Sequence, residues 1–145
     1  MNATTKATTS DADIVIKLYD LRREPRMREA RNWFAMKFWP KSVQDILEVQ
    51  NAFGTDENAY FRQIVSYWEM SASLVLRGAV DPDLFMDWSG EMVFLFAKIY
   101  PYLKEVREVI NPGFFLKVET VINQTNRQAQ LQAVVERQKK MFAGK

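Results

Sequence analysis

The chain has 145 residues, which sets the expectation of one domain. A chain of this size removes about 70% of its unfolded surface from water on folding, and a 48% hydrophobic composition supplies the core. There is no Cys and no His, and the formal net charge is only +2. Disulfides, thiolate nucleophiles, zinc–thiolate sites, Ser-His-Asp and Cys-His arrangements and most transition-metal sites are thereby excluded. Any catalysis has to run on carboxylates, Lys, Tyr or a bound cofactor, and no cofactor is expected.

The first ten residues are polar and Thr-rich, and read as a loose tail ahead of a single helical domain over residues 11–145. They hold no apolar segment of the signal-peptide kind. The apolar run Met92 to Ala97 is far shorter than the about 20 residues a membrane-spanning helix needs, so a cytoplasmic protein is expected.

In chain order, Ser10-Asp11-Ala12-Asp13 has the form of a capping box, opening a helix to about Leu21. Pro25 suits the first position of a second helix, whose Met27, Ala30, Phe34 and Phe38 recur on one face. Trp39-Pro40 ends it. Ser42 to Asp45 is a further capping box, with Val43, Ile46, Leu47 and Phe53 inward and Gly54 past the end. A long helix from Glu57 to Arg77 is apolar around most of its circumference and belongs at the centre of a bundle. Asp81-Pro82-Asp83 starts the next helix, with Leu84, Trp88, Met92, Leu95 and Ile99 as its stripe and Gly90 as a point of close packing. Pro101 should kink or restart it, and Asn111-Pro112-Gly113 is a turn. The last helix is expected from about Phe114 to Phe142. The fold class is an all-α bundle of about six or seven helices.

Tyr67-Trp68-Glu69, Leu74, Arg77-Gly78, Val80-Asp81 and Leu84-Phe85 form one motif, continued by Tyr100-Pro101-Tyr102-Leu103, Arg107 and Asn111-Pro112. On these residues the stretch from Tyr60 to Asn123 resembles an uncharacterised bacterial family, one of the catalogued domains of unknown function. The segment Leu18 to Arg31 is similar more loosely. The resemblance implies a helical domain and carries no activity with it. Some members of that family have a membrane-spanning segment before the domain, where this chain has a short polar stretch.

Charge is unevenly laid out. Residues 22–41 carry seven basic side chains against two acidic ones, whereas residues 42–91 carry nine acids against two bases. Arg22, Arg26 and Arg28 interleave with aromatics, a pattern compatible with nucleic acid but more often a solvated or internally paired face. Asp83, Asp87 and Glu91 stand at helical spacing, where like charges repel by roughly 0.2–0.5 kcal/mol per pair unless a cation faces them. Solvent screening is the plainer reading of the row; otherwise the facing cation is the basic segment, of this chain or of a second copy, or a hard metal such as Mg²⁺. Arg62 and Glu69 lie on a polar stripe of the central helix, and if buried they need partners. The C-terminal helix presents basic residues beside Val134, Val135, Met141 and Phe142, suited to packing in the domain or on a second copy. The expectation is a non-enzymatic helical domain that works through protein contacts and self-association. Nucleic-acid binding through residues 22–41 and a carboxylate-dependent metal enzyme are the alternatives.

Overall fold

A computed structural model describes residues 6–143. Among the described residues there are nine α-helices, one π-helical turn, one 3-10 turn and no strands. They are α1 (Thr9–Leu21), α2 (Pro25–Asn32), α3 (Val43–Asn51), α4 (Asp56–Leu76), α5 (Pro82–Asp87), α6 (Gly90–Ile99), α7 (Leu103–Val109), α8 (Leu116–Gln124) and α9 (Gln128–Ala143). No helix among them is long and apolar enough to cross a membrane.

Helix starts follow side-chain chemistry. The capping box of α1 lies two residues before Ser10: Thr8 Oγ1 accepts from the Asp11 amide and Asp11 accepts from the Thr8 amide. Ser10 therefore sits inside the first turn, and the polar segment shortens accordingly. Of that segment, residues 1–5 lie outside the described part. Ser42 caps α3, Thr55 caps α4 and Asp81 caps α5 with Pro82 at the first helical position. After α4 the chain turns at Gly78, whose φ of 81° is open to glycine at little cost.

The centre is α4, as its all-round apolar sequence requires. Phe61, Ile64, Trp68, Ala72 and Val75 are buried, and α2, α3 and α8 pack on it. Phe34, Phe61 and Phe114 stack in series, with centroids 5.8 and 6.2 Å apart. On the far side α6 buries Met92, Val93, Leu95, Phe96, Ala97 and Ile99, and α9 lies along it through Leu131 and Val135.

Four sequence expectations are corrected. The helix through 84–99 is broken: α5 stops at Asp87, and the Ser89 hydroxyl donates back to the Phe85 carbonyl, filling an acceptor the helix would have used. Trp88 consequently points out, 59% exposed, instead of joining the stripe. Gly90 begins α6 with open space around it, so no close packing explains it. Phe53 follows the end of α3 and is 74% exposed, because the helix stops at Asn51 before its periodicity turns Phe53 inward. The last helix is two, separated at Asn126, which adopts φ 57° between α8 and α9. These breaks raise the helix count above the expected six or seven. At Pro101 the expected interruption is a 3-10 turn over Tyr100–Tyr102. The side chain of Phe142 lies outside the described part.

Candidate functional site

The basic segment folds onto its own chain. Arg31 makes a two-pronged bond to Glu91, with Nε to Oε1 at 2.9 Å and Nη2 to Oε2 at 2.7 Å. This pair raises the Arg31 pKa, chiefly through those hydrogen bonds. Arg26 reaches Asp56 and Glu29, both at 3.1 Å, in an exposed network beneath the Tyr60 ring. Arg28 is exposed at the surface.

Arg22 behaves differently. It ends α1, is only 7% exposed, and lies with its guanidinium carbon 4.9 Å from the Tyr19 ring centroid and 5.3 Å from that of Trp68. Among the described residues its guanidinium donates one hydrogen bond, from Nη2 to the Trp88 carbonyl at 3.3 Å. Nε is enclosed with no partner among the described residues. Nη1 has no hydrogen-bond partner among the described residues. The neighbouring Glu91 is already spent on Arg31, which also donates to the Arg22 carbonyl at 3.0 Å. Around this corner Ile16 and Tyr19 on α1 and Trp88 after α5 expose large apolar surface.

The row Asp83, Asp87 and Glu91 does not exist as one face, since the chain breaks between Asp87 and Gly90. Glu91 turns inward to Arg31, and Asp83 lies 3.7 Å from Arg127, mostly in solvent. Asp87 is exposed with no partner among the described residues, one residue from Trp88. Among the described residues no group of three or more His, Cys, Asp or Glu side chains is placed to hold a metal ion.

The polar stripe of α4 divides in the same way. Arg62 is exposed and donates through Nε to Asn58 Oδ1 at 2.9 Å. Glu69 is half-buried and accepts from the backbone amides of Lys117 and Val118, both at 3.2 Å. It thus caps α8, whose own preceding residue, Phe115, stands at φ 56° and offers no capping side chain. Burial pushes the Glu69 carboxyl up, while the two amides pull it down. Arg107 holds the other side of the same turn, through Nε to the Phe114 carbonyl at 2.8 Å and Nη1 to Glu119 at 2.9 Å. Several residues that carry the family resemblance, Glu69, Gly78, Asp81 and Arg107, therefore fix helix ends.

Sequence reasoning missed Lys98. It is 4% exposed inside α6, and Nζ donates to the carbonyls of Phe34 and Ala35 at 2.7 Å and of Phe38 at 2.9 Å. Those carbonyls are released where α2 gives way to the π-helical turn Trp33–Lys37. The Trp39 ring covers Nζ at 3.5 Å from its centroid. Burial draws the Lys98 pKa down to about 7. The carbonyls and the ring favour the charged form and oppose that pull, and the ammonium form uses all three of its N–H groups. The signal was a single Lys within Met92–Ile99, placed one turn from both Phe94 and Tyr102.

No curated protein and no solved structure matches the chain. Residues 7–125, which take in α1 to α8, match the family model described as "Domain of unknown function (DUF4760)", and the chain belongs to that family.

Proposed function

We propose that this domain works through protein contacts and associates with a second copy of itself through the corner formed by α1 and the end of α5. The observation that carries the reading is Arg22, a nearly enclosed arginine whose guanidinium makes one hydrogen bond and meets no carboxylate among the described residues, beside exposed Tyr19 and Trp88. A buried charge without a counter-charge is costly, and a partner's carboxylate relieves that cost. A two-fold interface uses one patch twice, so the patch must hold both halves of each contact. This one does: among the described residues Arg22 meets no acid, and exposed Asp87, beside Trp88, meets no base. Ile16, Tyr19 and Trp88 supply the apolar area and the aromatic anchors on which interfaces depend. The nucleic-acid alternative has less to stand on, because Arg26 and Arg31 are engaged by Asp56, Glu29 and Glu91.

Light scattering over a concentration series, at low and at high salt, tests it. The expected result is a dimer that loosens as salt screens the Arg22–Asp87 contact. A monomer at every concentration overturns it. A monomer that takes up an oligonucleotide with a steep salt slope transfers the function to the basic segment.

A further inference from the structure

Tyr100, Leu103, Arg107 and Pro112, which carry the second part of the family motif, line one cleft of about 440 Å³, within the usual range of small-molecule sites. It lies between the 3-10 turn, α7, the turn before α8 and Glu119 on α8, and it shares no residue with the corner of α1 and α5. Arg107 ties its two sides together: Nε holds the Phe114 carbonyl at 2.8 Å and Nη1 holds Glu119 Oε1 at 2.9 Å. The charge of Arg107 is thereby met within the chain, while Glu119 Oε2 has no partner among the described residues. Lys104 and Glu108 also line the cleft, one helical turn apart on α7 and both exposed. Opposite charges at that spacing can reach each other. These two make no ion pair or hydrogen bond, with each other or with any described residue.

We infer that this cleft binds a small zwitterion with a short apolar body, a free α-amino acid being the simplest such molecule. The charges decide the class. Lys104 and Arg107 are balanced by Glu108 and Glu119, so the lining has no net charge and favours neither a simple anion nor a simple cation. It does hold unused capacity of both kinds. The Lys104 ammonium offers three N–H groups to a carboxylate, while Glu108 and Glu119 Oε2 accept from an ammonium. Cβ atoms four residues apart on a helix lie about 5–6 Å from each other, so Lys104 and Glu108 can bracket one amino-acid head group. Leu103 and Pro112 add apolar surface for its side chain, and Tyr100, 37% exposed, adds aromatic surface. Arg107 is a positioning residue: Nε and Nη1 are committed and Nη2 is enclosed, so it holds Glu119 in place and leaves the ligand to the other charges. The motif residues build the frame, and the charges that select the ligand stand outside the motif.

The test titrates the full chain at pH 6 with L-leucine, with leucinamide, which keeps only the cation, and with N-acetylleucine, which keeps only the anion, following amide chemical shifts. Leucine should bind saturably, with shifts centred on α7 and the turn before α8, and each blocked analogue should bind about fivefold more weakly, the upper end of what one exposed ion pair contributes. Lys104→Glu should abolish the preference for leucine over leucinamide, and Glu108→Lys the preference over N-acetylleucine. Both substitutions should leave the melting temperature unchanged, since both positions are exposed. Absence of saturable leucine binding overturns the inference, as do equal binding of the three probes and preferences that survive both substitutions. Trp88→Glu, which breaks the proposed dimer face, should leave the titration unchanged, so failure of one proposal is distinguishable from failure of the other.

Discussion

Two buried cations divide the molecule's chemistry between them. Lys98 spends all three N–H groups on carbonyls and lies under an aromatic ring, while among the described residues the Arg22 guanidinium makes one long hydrogen bond and leaves Nε enclosed without a partner. The first is complete within the chain and closes a π-helical turn against α6. The second is incomplete and lies beside exposed aromatic side chains. The contrast teaches that burial alone does not mark a functional charge: what matters is whether the fold supplies every partner.

The largest expected effect comes from breaking the completed cation. Lys98→Met keeps the apolar stem and orphans three carbonyls, which should cost about 3 kcal/mol of stability in urea unfolding. A loss below about 1 kcal/mol would show those carbonyls finding other donors. The pH dependence sharpens the same point. With a folded pKa near 7 and an unfolded value near 10.4, the folded chain releases the Lys98 proton first, so folding is favoured as pH rises through that window. Below about 7 both states are protonated and the burial cost is fully present. Wild-type stability relative to Lys98→Met should thus increase between pH 7 and 10. A flat difference would mean that the carbonyls cancel the effect of burial.

On the incomplete side, Trp88→Glu should weaken association by about 2 kcal/mol, roughly 30-fold in Kd by sedimentation, with the fold untouched. The smallest effect is expected at Glu69. Removing the cap of α8 in Glu69→Ala should cost about 1 kcal/mol and leave association unchanged. A change in association there would move the interface onto α4 and α8.

The architecture was legible where local chemistry decides it. The caps at Ser42 and Asp81, the prolines at 25 and 82 and the apolar circumference of α4 all read directly from the sequence. The charge blocks were also visible, as was their mutual attraction in outline. What was hidden is tertiary. Periodicity runs straight through 84–99, whereas the backbone leaves helical geometry at Trp88 and Ser89, restarts at Gly90 and turns Trp88 outward. Nothing local says that Glu91 chooses Arg31 over Arg22, because that choice depends on how α2 and α6 approach each other. Lys98 was invisible for the same reason: its partners lie some 60 residues away, at a π-turn that no propensity marks.

The central claim is that Arg22 and Asp87 meet across a two-fold contact. Sedimentation equilibrium of wild type and of Asp87→Arg at low salt tests it most directly. A wild-type dimer and a monomeric Asp87→Arg with unchanged melting temperature is the predicted result, because the substitution opposes two buried arginines with two more cations. A monomeric wild type, or an Asp87→Arg variant that dimerises as well as wild type, would contradict it.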